Sequence, residues 1–361
     1  MRVAFCADVH LGNHNRYPGR IEVGLNQRAR EVVDALDRAI QIAKGKDCDA
    51  FVVLGDLFDG TRPQPQLIAK VQDLMAGAPH PVLLLGNHEM VTDVEGDNSL
   101  APLKLNCWVI ERPCIHPLSD LKLAVIPFQR GNPAEWLGPT LDELGLQPGA
   151  VLCLHMGIRD RETPFFLQGT EGAVDVGHLD GIVEDLQLAA VFSGDWHERR
   201  FWRSHGNAPI IQVGTLCPTG WDNPGFTDYG FMAIWDSETS TGESISIPGP
   251  RFVKVASEKE FAEVIARNAD RLYVEWISPP AELAAANAAI REARKDGLIV
   301  DGGAFVDKAI QQEAARASAR AAASAETLEE AVSAWVSEME LEEGVERARV
   351  LERARGYLEV R

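Results

Sequence analysis

The 361-residue sequence predicts a layered α/β domain over residues 1–250, a small α/β module over 251–303 and a helical tail over 304–361. Three features carry that expectation. Up to about residue 250, short apolar runs suited to buried strands alternate with amphipathic helical stretches. A Pro/Gly cluster, IPGP (247–250), then marks a break. Beyond 304 the chain turns Ala-rich and then strongly charged.

The strand-like runs are VAFCAD (3–8), DAFVVLGD (49–56), PVLLLGNH (81–88), LKLAVIPF (121–128), AVLCLH (150–155), AAVFSGDWH (189–197), PIIQVGT (209–215) and YGFMAIWD (229–236). Between the first two, Ala29, Val32, Val33, Leu36, Ile40 and Ala43 recur at helical spacing and predict a helix over 27–44. After the break, RLYVEWI (271–277) reads as a strand, a helix follows Pro279 and Pro280 to about Lys295, and LIV (298–300) reads as a second strand. In the tail, Thr327 and Glu330 have the spacing of a capping box. After it Leu328, Val332, Trp335, Val336 and Met339 form a helical stripe that must be buried on something, either its own chain or a partner helix.

Hydrophobic content of 45% and charged content of 25% are ordinary for a globular chain, so disorder is not the default. The formal net charge of −19 argues against a protein that holds nucleic acid through bulk positive charge. Residues 1–250 carry 19 Lys+Arg against 33 Asp+Glu and residues 251–361 carry 16 against 21, so neither part is a basic arm. A nuclease is not excluded, because several carboxylates would face cations worth about +4 in a two-metal site and a partner can supply a basic track. The N-terminal MRVAFCADVH is neither a signal peptide nor a membrane span in character. Six cysteines without a C-x-x-C pair favour a reducing cytoplasm.

Five of the apolar runs end in a potential metal ligand: Asp8 with His10, Asp56, Asn87 with His88, His155, and Asp195 with His197. In open α/β sheets the carboxyl ends of strands converge even when they are far apart in sequence. Taken singly, each of these residues is more often a cap, a turn or a surface group. Five such coincidences point instead to one pocket of carboxylate, amide and imidazole ligands, a set suited to Mn²⁺, Fe²⁺ or Zn²⁺.

D-x-H at 8–10, GD at 55–56, GNH at 86–88, the strand-terminal His155 and G-x-x-H at 194–197 resemble the five motifs of the calcineurin-like metallophosphoesterases. Within that family DVHLG (8–12), GDLFDGTRP (55–63) and GNHE (86–89) look most like SbcD-type subunits of double-strand-break-repair nucleases, and GTLCPTGW (214–221) is similar to the segment that closes that domain. The protein Ser/Thr phosphatases share GNHE, but Gly60 and Thr61 stand here where those enzymes carry a phosphate-gripping Arg. The resemblance implies a four-layered α-β-β-α domain and two divalent ions, expected to be Mn²⁺. One ion would be held by Asp8, His10, Asp56 and His197, the other by Asp56, Asn87, His155 and Asp195, with Asp56 bridging. It also implies His88 as the general acid.

The chain departs from the family at two places. Asp195-Trp196-His197 replaces the usual His-x-His, so a carboxylate would add negative charge to the second ion. Asp59 stands where some members carry a His, and is left outside the catalytic set with an accessory role. His14, His80, His116, His178 and His205 read as surface or structural, with His14 the nearest exception because the loop after the first motif could line the cleft. Trp196, Trp202 and Trp221 group near the fifth motif, where packing under a loop is favoured over base stacking. By position along the chain, 251–303 resembles a capping, DNA-binding module, and the tail resembles the segment that binds an SbcC-type ATPase. The implied partners are DNA, that ATPase and a second copy of the chain in a homodimer, in the cytoplasm and without a membrane. The leading expectation is a DNA exo/endonuclease in end processing and repair. A small-molecule phosphatase or cyclic phosphodiesterase, and a degenerate scaffold, remain open.

Overall fold

The computed structural model describes residues 1–163, 167, 170, 172–218, 220, 221, 229–267, 271–306, 336 and 348–351. Fifteen strands are labelled in chain order: β1 Arg2–Cys6, β2 Ala50–Val53, β3 Pro81–Leu84, β4 Trp108–Ile110, β5 Cys114–Leu118, β6 Leu121–Ile126, β7 Val151–His155, β8 Ala190–Gly194, β9 Arg200–Arg203, β10 Pro209–Gln212, β11 Tyr229–Asp236, β12 Thr241–Pro248, β13 Arg251–Val255, β14 Leu272–Ser278 and β15 Asp301–Val306. The helices are α1 Gln27–Gly45, α2 Pro65–Ala76, α3 Pro133–Leu144, α4 Val176–Leu186, α5 Glu258–Ala266 and α6 Leu283–Lys295. Two short ribbons pair Ile21–Glu22 with Leu25–Asn26 and Ile158–Arg159 with Val174–Asp175.

One six-stranded sheet has the order β12-β11-β1-β2-β3-β4 and the other β9-β10-β8-β7-β6-β5. Their central strands are parallel and apolar on both faces, as a doubly covered sheet requires. Along β1 the residues alternate between two cores. Ala4 and Cys6 pack with α1 and α2, while Val3 and Phe5 face the second sheet. The second sheet alternates in the same way: Val151, Cys153 and Phe192 point at the first sheet, and Leu152, Leu154 and Val191 point at α3 and α4. Phe5 and Phe192 stack across the middle with ring centroids 3.9 Å apart. The layers are therefore α-β-β-α.

All eight sequence-read strands and the helix over 27–44 are present. The sequence offers no reading for β4, β5, β9, β12 and β13, which are edge strands with mixed composition; the half-exposed TGESISIP of β12 and RFVKV of β13 carry no continuous apolar run. Asn26 caps α1 by accepting a hydrogen bond from Ala29 N (2.9 Å).

A third sheet, β13-β14-β15, is parallel and has its own core of Phe261, Val274, Trp276 and Ile290 between it and helices α5 and α6. One strand is displaced from expectation. The LIV segment at 298–300 is not a strand, because the turn that ends α6 uses Gly297 at φ +74 and bonds Leu298 N to Ala293 O (2.9 Å). Pairing therefore starts later, and β15 runs through Asp301-Gly302-Gly303, where a Cβ at Gly302 would strike the Val274 carbonyl. The tail helix expected from Thr327 onward lies outside the described residues except for Val336, which is fully buried, and 348–351.

The third sheet seats on the loop that leads from β1 into α1. Arg28 lies over the rings of Phe252 and Tyr273, at 5.0 and 5.9 Å. Trp221 meets Phe252 and Tyr17 edge-on and donates to Val253 O (3.3 Å). Arg16 pairs with Glu275, Gly19 N donates to Asp301 (3.1 Å), and the Tyr273 hydroxyl donates to Glu31 (3.0 Å).

Burial pushes the Glu31 carboxyl up to about 7, above its ordinary 4.5, so the folded protein holds that proton more tightly than the unfolded chain does. The stability linked to it is present below the unfolded value and is lost as pH rises through the folded one. Glu31→Gln keeps an acceptor for Tyr273 and removes the ionisation. In thermal unfolding the variant is expected to gain on wild type as pH rises, by up to about 3 kcal/mol near pH 8, with the gain vanishing near pH 4. A pH-independent difference would contradict this.

Candidate metal centre

Asp8 and His10 leave the carboxyl end of β1, and Gly55 and Asp56 leave β2. The two loops are zipped together by backbone hydrogen bonds, Asp8 N to Gly55 O (3.2 Å), His10 N to Asp56 O (3.0 Å) and Leu11 N to Leu57 O (2.9 Å). Zipping forces unusual backbone: Asp8, His10, Asp56 and Asp195 all have positive φ, a conformation that non-glycine residues keep only where the surroundings over-determine it. Gly55 sits at φ +92 against the ring of His155, and a Cβ at Gly86 would overlap the Asp56 carboxylate. The GD and GN pairs are therefore required by close approach as well as by turn geometry.

Glu89 ties these loops to the third motif. It is fully buried at the end of GNHE, and accepts hydrogen bonds from the backbone N–H of Asp56 (3.2 Å), Phe58 (2.9 Å) and Gly86 (2.8 Å). Burial, with Asp56 nearby, pushes its carboxyl up to about 8 against the Phe58 and Gly86 donors. Asp56 in turn accepts from His88 N (3.1 Å). Thr215, in the GTLCPTGW segment, closes the other side by donating to the Asp8 carbonyl (2.5 Å).

All eight sequence-read residues converge on this hollow. Asp56 lies between two groups: its Oδ2 is 3.9 Å from His10 Nε2 and its Oδ1 is 3.5 Å from His155 Nε2. On the first side His10 Nε2 and His197 Nε2 are 2.9 Å apart, and Asp8, His10 and His197 can reach a common point. On the second side His155 Nε2 faces Asn87 Oδ1 (3.1 Å) and Asp195 Oδ1 (3.9 Å). Asp195 is anchored to the first motif by its N–H on Asp8 Oδ1 (2.9 Å). The ring of His155 is oriented by Nδ1–H donating to the Leu54 carbonyl (2.6 Å), which turns Nε2 and its lone pair into the hollow.

The electrostatics fit cations. Asp8 Oδ2 is buried without a hydrogen-bond partner. Burial drives the carboxyls of Asp8 and Asp195 above their ordinary range. Burial also opposes ionisation of Asp56, yet the imidazoles around it, His155 foremost, hold its carboxyl far below the usual range. For His155 burial opposes the charged form, but Asp56, Asp195 and Asp8 raise it well above the usual value. Carboxylates that crowd together and draw protons onto a buried imidazole are what divalent cations would relieve.

His88 is more open, with 40% of its side chain exposed, and its Nδ1 faces the Asp59 carbonyl (3.3 Å). It can also share a point with His10 and Asp56, so ligation is sterically open to it. Asp59, left out of the catalytic reading, proves to be a neighbour of the site: its carboxylate is 3.4 Å from His10 Nδ1 and 3.7 Å from His14 Nδ1. His14, the exception among the remaining histidines, stands beside Asp59 at the edge of the hollow as the loop after the first motif allows, and burial lowers its imidazole to about 4. The three tryptophans do not form one group. Trp202 donates to Asp160 (2.8 Å) beside α4, Trp221 packs at the third sheet, and Trp196 covers Gly157.

Replacing Glu89 by Ala should leave three buried N–H groups unpaired and free the second and third motifs from one another. Metal content after dialysis is expected to fall by roughly 10–100-fold in affinity, with Glu89→Gln intermediate. Full metal retention in Glu89→Ala would rule out the clamp.

Among the described residues no helix is long and apolar enough to cross a membrane. The calcineurin-like phosphoesterase family model matches residues 1–199. A DNA double-strand break repair protein Mre11 of Methanopyrus kandleri is 30% identical over 94 residues, a stretch covering 25% of this chain and 19% of that relative. Solved structures with similar arrangement include a protein of Thermus thermophilus (TM-score 0.45, 10% identity, 68% of this chain and 98% of that one) and a dimetal phosphatase from Danio rerio (TM-score 0.41, 12% identity, 69% and 99%). The family match spans more than half of the chain and takes in every one of the strand-end residues from Asp8 to His197; the chain belongs to the calcineurin-like phosphoesterases, hydrolases of phosphoesters that use divalent metals.

Proposed function

We propose that the chain is a two-metal DNA nuclease of the SbcD type that processes DNA ends with an SbcC-type ATPase. The observation that carries the two-metal reading is Asp56, which offers one carboxylate oxygen to each of two ligand groups. The choice of DNA is supported by the likeness to a break-repair protein over 94 residues and by the seating of a separate sheet beside the loop that follows the first motif.

In this reading Asp8, His10, Asp56 and His197 hold one ion, and Asp56, Asn87, His155 and Asp195 hold the other. Two divalent cations, Mn²⁺ in this proposal, would supply Lewis acidity toward the phosphodiester and acidify a water for in-line attack. The chain's own part is positional. His155 keeps Nε2 aimed inward through its bond to Leu54, and the loops of the first two motifs hold their carboxylates against desolvation. His88 has Nδ1 against the Asp59 carbonyl, leaving Nε2, 3.9 Å from Asp56 Oδ2, to pass a proton to the leaving oxygen. Asp195 in place of an imidazole adds a negative charge to the second group, favouring a hard, oxygen-seeking cation there.

The reading is tested by incubating the holoenzyme and Mn²⁺ with end-labelled linear duplex and, in parallel, with an aryl phosphodiester. Cleavage of the duplex is expected; hydrolysis of the small ester alone, even with the ATPase present, would replace this proposal with a small-molecule phosphodiesterase. His88→Ala is expected to abolish turnover while metal content stays near two per chain.

The tail is proposed to bind the ATPase. Val336, the one residue of the expected stripe among the described residues, is buried. Deleting 324–361 should leave a soluble, active enzyme that no longer co-purifies with the ATPase; undiminished co-purification would move the contact elsewhere.

A further inference from the structure

The chain carries 54 acidic against 35 basic residues, yet one cavity reverses that ratio. It lies where α1 and the ribbon before it meet the end of α6, and encloses about 880 Å³. Six cationic side chains line it against three carboxylates, Glu22, Glu31 and Asp34. Arg30 is held by Glu22 and Arg294 by Asp301, so those two heads are neutralised and fixed. Arg20, Arg271, Arg291 and Lys295 form no direct ion pair among the described residues, although Arg271 acts through space on the Glu31 carboxyl and Asp34 adds one further carboxylate to the lining. Glu31 spends its oxygens on Tyr273 and Gln27, and burial moves its carboxyl toward the neutral form.

These cations come from two separately folded parts, since Arg20 and Arg30 belong to the first and Arg271, Arg291, Arg294 and Lys295 to the three-stranded module. Surface charges in an acidic protein ordinarily alternate in sign; four such cations converging on one hollow repel one another unless an anion joins them. Leu272 and Ile299, both nearly fully buried, also line it. The volume is that of a small-molecule site. Guanidinium groups dominate the lining, and their planar forks match phosphate oxygens in pairs.

We infer that this cavity is a binding site for a phosphate-bearing polyanion, distinct from the metal centre, which clamps the three-stranded module to α1. None of its lining residues belongs to the metal cradle. The site does not depend on whether the metal centre cuts DNA. Two sources share its chemistry, a free polyphosphate and the backbone of a nucleic acid strand, and they can be told apart.

The experiment measures binding by the full-length holoenzyme of inorganic tripolyphosphate and, separately, of a phosphorothioate-linked single strand that resists hydrolysis. Three variants accompany it: Arg20→Ala, the double variant Arg291→Ala with Lys295→Ala, and Lys122→Ala as an exposed cation far from the cavity. Wild type is expected to bind at least one probe, with affinity falling as salt is raised. Loss of charge-assisted contacts should weaken that binding roughly tenfold or more in Arg20→Ala and in the double variant, and not in Lys122→Ala. Hydrolysis of an aryl phosphodiester should be unchanged throughout, which also verifies folding. Binding of tripolyphosphate alone assigns a free polyphosphate, and binding of the strand alone assigns a nucleic acid backbone. The inference is overturned if neither probe binds wild type, if the double variant binds as tightly as wild type, or if ester hydrolysis falls in parallel with binding.

Discussion

A single buried carboxylate, Glu89, holds the centre of this molecule in place. Its two oxygens take three backbone N–H groups from two loops, that of Asp56 and Phe58 and that of Gly86, and through them fix where Asp56 and His88 stand. Without that acceptor the strand ends would still meet, because the sheets would still pack. Their side chains would not be held to the fractions of an ångström that a metal site demands. The positive φ angles of Asp8, His10 and Asp56 show how much the surroundings impose on these loops.

The centre is electrostatically unfinished as a bare polypeptide. Buried carboxyls on Asp8 and Asp195 resist ionisation, while the same groups draw charge onto His155. Such mutual frustration is costly for a core and useful for a cation site, since binding releases it. The Asp195 carboxylate adds to it on the second side, where its backbone N–H is fastened to Asp8.

Charge is also partitioned at the larger scale. A chain of net charge −19 gathers cations where its three-stranded module meets α1, and buries Arg28, Glu31 and Glu275 along the same seam, with the exposed Arg16 paired to Glu275 beside the rings of Tyr17 and Trp221. Ionic groups at such a seam give it a particular register, since sliding would strand a buried charge. The loop from Gly12 to Asn26 joins this seam directly to the first metal-site motif. Occupancy of the junction and the geometry of the metal cradle are thus separated by only one short stretch of backbone.

The sequence by itself determined the eight apolar strands, the amphipathic helix α1 and the residues at the strand ends, because burial on both faces of a parallel sheet writes itself as uninterrupted Val, Ile and Leu, and ligand chemistry admits few residue types. It did not reveal the edge strands β4, β5, β9, β12 and β13, whose half-exposed faces leave no periodic mark, nor the displacement of β15 by the turn that ends α6. Remote contacts in the tertiary structure made Glu89 a clamp, brought Asp59 onto His10 at the site where the sequence allowed it only an accessory role, and parted the tryptophans. Each of those facts depends on partners remote in the chain: Asp56 for Glu89, His10 for Asp59, and Asp160, Gly157 and Phe252 for the three indoles. The basic hollow is the extreme case, since its cations are scattered from Arg20 to Lys295 and become one site only when two cores dock.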